Sequence, residues 1–131
     1  MESQITFLGR CDELTRNKYY KLSDIFIMPS ITKKKSVEGF GIVFLEANFY
    51  KVPTIGSFSG GISKAIINGE TGLLINPNNL QDLVNKIKYL YENPEIRRKM
   101  GEAGHKRVVN EFNWDKLIFD YINLFESVLK E

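Results

Sequence analysis

The segment Glu38-Gly39-Phe40-Gly41-Ile42-Val43-Phe44-Leu45-Glu46-Ala47 decides how this chain is read. Two glycines precede an apolar run that starts a helix, and a glutamate stands at each end. Glycine lets backbone approach a ligand closely. The first turn of a helix offers N–H groups without intrahelical acceptors, together with partial positive charge. Such a turn suits an anion, and a diphosphate in particular. Glu46 interrupts apolar sequence, where a carboxylate is costly unless it is hydrogen-bonded. A ribose diol would supply the donors. Glu38 and Glu46 lie eight positions apart, on the order of 12 Å along a helix. That span fits a nucleotide-sugar, with a hexose at one end and a ribose at the other. The same residues also read as a buried helix with a capped or snorkelling Glu46 and an exposed loop Glu38. Spacing leaves both readings open.

Outward from this segment, apolar runs alternate with helical patterns. Strands are expected at Ile5–Leu8, Ile25–Met28, Val52–Gly56 and Gly72–Ile75. Pro53 sits at a strand start, where proline is tolerated. Helices are expected from Glu13 to Leu22 behind Asp12, from Phe40 to Tyr50, and from Ile62 to Asn68. Three more follow: one behind Asn79 with apolar residues from Leu80 to Tyr91, one opened by Pro94, and a C-terminal amphipathic helix carrying Trp114 to Leu129. Strands separated by helices pair in parallel. The expected fold is therefore α/β, a doubly wound, Rossmann-like parallel sheet of about four strands. Ligands of such sheets bind beyond the carboxyl ends of the strands. The loops to watch are Gly9–Asp12, Pro29–Glu38, Gly56–Gly61 and Asn76–Asn79.

Composition narrows the function. The chain has 131 residues, 43% hydrophobic and 26% charged, as a folded single domain does. No apolar run approaches the roughly 20 residues that span a bilayer, and no leader pattern is visible at the N-terminus. Cys11 is the only cysteine and His105 the only histidine. An internal disulfide, a zinc framework and a histidine relay are excluded. Lys and Arg number 18 and Asp and Glu 16, a balance that gives no reason to expect nucleic acid. Lys33-Lys34-Lys35 reads as a solvated loop cluster before a phosphate or anionic-membrane contact. The tyrosines and Trp114 read as core or rim residues.

The ordered set Pro29-Ser30, Glu38-Gly39-Phe40-Gly41 to Glu46-Ala47, Val52-Pro53-Thr54-Ile55, Gly60-Gly61 and Gly69-Glu70-Thr71-Gly72-Leu73-Leu74 resembles the C-terminal domain of retaining GT-B glycosyltransferases, the glycosyl transferases group 1 family. The likeness runs from Ile5 to about Trp114. It implies transfer of a hexosyl group from a nucleotide-diphosphate sugar, with retention, to a glycan or lipid-linked acceptor. No metal or other cofactor is implied. Glu38 matches the family's catalytic-site glutamate near the donor sugar. Gly39, Phe40, Gly41 and Ile42 match the residues around sugar and diphosphate, and Glu46 matches the ribose-binding glutamate. Ser30, Gly60 and Gly61 become donor-adjacent, although Gly60-Gly61 also reads as a plain tight turn. The likeness further implies a cytoplasmic protein, with room for peripheral membrane association.

Two departures matter. The family usually carries an acidic residue three positions after the second glycine of the pair, and here Lys64 stands there. The family's domain also begins with two further strand–helix units, one bearing the Arg and Lys that grip phosphates. On this likeness residues 1–131 form a single partial domain, without the N-terminal acceptor domain, and these residues alone should show negligible transfer. The alternative is a non-catalytic nucleotide-binding or interaction module, a truncated relic. A shortened sheet would leave the Ile25–Met28 edge unpaired. Ile5–Leu8 or a second chain, giving a dimer, is expected to cover it.

Overall fold

A computed structural model describes residues 4–30 and 39–129. Among the described residues nine elements follow one another: α1 (Glu13–Leu22), β1 (Phe26–Met28), α2 (Ile42–Phe49), β2 (Thr54–Ser57), α3 (Ile62–Ala65), β3 (Gly72–Ile75), α4 (Leu80–Glu92), α5 (Pro94–Glu111) and α6 (Trp114–Val128). The strands form one parallel sheet in the order β1-β2-β3. Phe26 pairs with Thr54 and Met28 with Gly56. Thr54 pairs with Gly72 and Ser57 with Ile75. A helix follows each strand, as parallel pairing requires.

Alternation along the strands divides the core between two faces. On one face Leu74 packs with Phe44 and Leu45 of α2 and Ile62 and Ala65 of α3, joined by Phe26, Met28 and Phe112. On the other, Ile55, Leu73 and Ile75 meet Leu90 of α4 and Met100 of α5. Every residue of β2 and β3 is buried. Helix α5 lies close along α2 because Gly101 and Gly104 let it. A Cβ at Gly101 would collide with the Lys51 carbonyl oxygen, and one at Gly104 would stand 2.6 Å from Cγ of Asn48. Asn48, buried on α2, donates to the carbonyls of Val52 at 2.9 Å and Thr71 at 3.2 Å. It thereby ties α2 to the start of β2 and the turn before β3.

The caps of α1 and α4 fall where the sequence puts them, and Asn113 adds one for α6. The side chains of Asp12, Asn79 and Asn113 accept from Thr15, Asp82 and Lys116 amides at 2.8–2.9 Å. Helix α2 starts at Ile42 rather than Phe40, because Gly41 adopts the left-handed conformation at φ 79°. Strand β2 begins after Pro53, which has no N–H for a ladder. Helix α3 is one turn long: Ile66 is already extended.

Ile5–Leu8 is the main correction. It forms no strand and does not move to the β1 edge. Phe7 is 92% exposed and Ile5 59%. A strand needs a partner ladder and a buried face. The three-residue β1 offers a short ladder, and no core surface lies beneath the segment. Helix α6 likewise has no buried residue, although Trp114, Phe119 and Phe125 lie on it.

Candidate functional site

The glycine turn and the helix it opens form the first part of the site. Gly41 carries no side-chain cap, and its carbonyl accepts from the Phe44 amide at 3.0 Å. Among the described residues the Ile42 and Val43 amides have no acceptor. Gly41 is required twice over. Its φ is positive, and a Cβ there would stand 2.7 Å from the Phe44 ring. The Gly60-Gly61 turn, which follows β2, sits directly on this loop: the Gly61 amide donates to the Gly39 carbonyl at 2.7 Å. The two glycine pairs, 20 residues apart in sequence, are thus one structure.

Glu46 lies one turn into α2. Its side chain is 30% exposed. Tyr20 donates its hydroxyl to Oε2 of Glu46 at 3.1 Å, and Nε of Arg16 stands 3.8 Å from the same oxygen. Both partners come from α1. Burial, then the hydrogen bond to Glu46 and its negative charge, push the Tyr20 hydroxyl up to about 12. Tyr20 therefore stays protonated and stays a donor. A carboxylate on an apolar helix is tolerated here because one hydroxyl donates to it and a guanidinium charge stands near it.

A cavity of about 330 Å3 opens beside Glu46, between α1, α2 and the end of α5. Arg16, Ile42, Leu45, Glu46, Phe49 and Phe112 line it. Of the sequence-predicted residues, Ile42 and Glu46 meet in this cavity. Gly39, Phe40, Gly41, Gly60 and Gly61 gather at the start of α2, and the Phe40 ring packs on Phe112 at 5.7 Å. Ser30 lies two residues past β1, its amide bonded to the Met28 carbonyl at 3.0 Å. Glu38 and Lys33–Lys35 lie outside the described residues. A second, smaller concavity of about 200 Å3 sits at the carboxyl ends of the strands, lined by Pro29, Ser57, Ile75 and Asn78–Leu80.

Sequence reasoning missed Arg16 and assigned Tyr20 to the core or rim. Glu13, Arg16, Asn17 and Tyr20 recur at helical spacing, so they share one face of α1, and that polar stripe was legible. Their target on α2, 26 residues from Tyr20, was not. Lys64, where the family carries an acid, occupies the last turn of α3, the end at which a cation suits the helix dipole. Arg107 caps that end, donating to the carbonyls of Lys64 at 2.8 Å and Ala65 at 2.7 Å. His105 finds a partner in the Phe49 carbonyl at 2.5 Å. No cluster of metal-ligating side chains and no helix able to cross a membrane occurs among the described residues.

A glycine-paired turn opening a helix on a parallel α/β sheet, with a carboxylate one turn on, defines a doubly wound α/β domain whose helix start can receive an anion. Comparison with known proteins makes the assignment narrower. The family model described as glycosyl transferases group 1 matches residues 1–107, and the chain belongs to that family. The N-acetyl-alpha-D-glucosaminyl L-malate synthase of Bacillus anthracis is 30% identical over all of this chain and 32% of its own length. A GDP-mannose-dependent alpha-(1-6)-phosphatidylinositol monomannoside mannosyltransferase of Mycobacterium tuberculosis is 34% identical over 86% of this chain and 30% of its own. Among solved structures, sucrose-phosphate synthase from Thermosynechococcus elongatus superposes with a TM-score of 0.84 at 30% identity, over 98% of this chain and 31% of that one. The fold is that of GT-B glycosyltransferases. The chain spans about a third of the length of the relatives it matches.

Proposed function

We propose that this chain is the donor-binding part of a retaining glycosyltransferase that moves a hexosyl group from a nucleotide-diphosphate sugar to a glycan or lipid-linked acceptor. The observation that carries this reading is the joining of a bare-amide helix start, at Ile42 and Val43, to a held carboxylate at Glu46, with Ile42 and Glu46 lining the same cavity. Diphosphate lies against the amides, and the ribose hydroxyls donate to Glu46. Negative charge grows on the diphosphate as the glycosidic bond breaks. A fixed helix start stabilises it without reorganising. The family resemblance gives Glu38 a role near the donor sugar. The acceptor is met by another domain of the protein, so these residues alone bind donor without turning it over.

The GDP-mannose dependence of the mycobacterial relative supports a nucleotide-sugar donor. Calorimetric titration of the chain with UDP, GDP and ADP tests the reading. One of them should bind, and Glu46→Ala should weaken it by about tenfold, the loss of one charge-assisted hydrogen bond. Retained affinity in Glu46→Ala would remove the ribose assignment. Turnover of a nucleotide-sugar by residues 1–131 would overturn the division of labour.

A further inference from the structure

Glu46 meets its cavity with one oxygen already engaged. The Tyr20 hydroxyl and Nε of Arg16 both approach Oε2, and no described residue approaches Oε1. The two partners differ in kind. Arg16 is 44% exposed and stands 3.8 Å away, beyond hydrogen-bond reach, so it contributes charge and not geometry. Tyr20 is 7% exposed and held on several sides. Its ring stacks on Tyr50 with centroids 5.9 Å apart and meets Phe26 edge-on at 5.6 Å. It also packs with Ala47 and Val52. A ring so confined presents its hydroxyl at one place.

The geometry points to Tyr20 as a positioning residue for donor binding: it fixes the Glu46 carboxylate through Oε2 and leaves Oε1, with both lone pairs, for the ligand's hydroxyls. This rests on the ribose reading given above. Without the phenol, the carboxylate is free to rotate about its terminal torsion, which has broad wells. Binding then has to order it, and affinity for the diol falls. The rest of the ligand is untouched, so the loss is confined to the hydroxyl contacts.

The test uses whichever of UDP, GDP and ADP binds, together with its 2′,3′-dideoxy form, titrated against the 131-residue chain and its variants. The unaltered chain should favour the ribose form by about tenfold, the weight of a hydrogen bond to a charged group. Glu46→Gln should erase most of that preference. Tyr20→Phe, which keeps the ring and its stacking, should reduce it several-fold while leaving the dideoxy affinity unchanged. Tyr20→Phe combined with Glu46→Gln should be no weaker than Glu46→Gln alone. An equal loss for both ligands in Tyr20→Phe would show a merely structural tyrosine, and an undiminished preference would show an idle one. Either overturns the inference. A preference that survives Glu46→Gln sinks the ribose reading itself, and failure of all three diphosphates to bind sinks both.

Discussion

The backbone amide of Gly61 donates to the backbone carbonyl of Gly39 at 2.7 Å, and a methyl group on Gly61 would collide with that carbonyl oxygen. The turn after β2 therefore sits on the turn that opens α2. Gly61→Ala should force the two apart and destabilise the fold by about 1–3 kcal/mol, the usual cost of overpacking. Urea unfolding followed by far-UV circular dichroism would measure it.

Gly39 supplies the contrasting case. A Cβ there meets no described residue within 4 Å, and its φ lies outside the left-handed range. Gly39→Ala should unfold within about 0.5 kcal/mol of the unaltered chain, as an unstrained surface substitution does. If backbone closeness to diphosphate is what the glycine serves, the same variant should lose affinity for a nucleoside diphosphate. A variant with full stability and full affinity would show that Gly39 has no role in the site.

Asn48 holds α2, β2 and the turn before β3 together through two buried carbonyls. Asn48→Ala leaves both carbonyls without a partner and should cost about 2–3 kcal/mol. A shift in the urea midpoint with unchanged slope would report it. A shift below about 0.5 kcal/mol would mean that water reaches those carbonyls.

The Tyr20–Glu46 pair sets an alkaline limit. The Tyr20 hydroxyl is raised from the ordinary 10 to about 12 in the fold. A group whose folded value is raised contributes stability that is complete below the unfolded value and lost as pH rises through the folded one. Stability should therefore decline between about pH 10 and 12, partly because Tyr20 must ionise beside Glu46. Tyr20→Phe should flatten that part of the decline, seen as the difference between the two urea midpoints across the range. Identical alkaline profiles would mean that the phenol is not held by the carboxylate. At the acid end the hydrogen bonds from Thr15 hold the Asp12 carboxyl below 3.8. Its contribution to the start of α1 is present above that pH and lost as pH falls through the lowered value.

Much of this architecture was legible in the residues. The alternation of Ile25–Met28, Val52–Gly56 and Gly72–Ile75 with helical patterns predicted a parallel sheet, and side-chain caps at Asp12 and Asn79 marked α1 and α4. What escaped was whatever tertiary context decides. Ile5–Leu8 has the composition of a strand, but composition cannot say whether a partner edge and a core surface exist for it. The pairing of Gly39 with Gly61 crosses 22 positions of sequence, and the approach of Tyr20 to Glu46 crosses 26. Nothing local encodes such contacts. The Gly39–Gly41 turn and Glu46 could be read together because the turn adjoins the helix that carries Glu46, where spacing becomes geometry. Arg16 and Tyr20 were overlooked as site residues because their own helix reads as an ordinary surface element.

The most direct measurement is amide-resolved NMR of the labelled chain titrated with a nucleoside diphosphate that binds it. The largest shifts should fall on the Gly41, Ile42 and Val43 amides and on the residues around Glu46 and Tyr20, with Gly60 and Gly61 following. Shifts centred instead on the second concavity, at Ser57, Ile75, Asn78 and Asn79, with α2 silent, would contradict that placement.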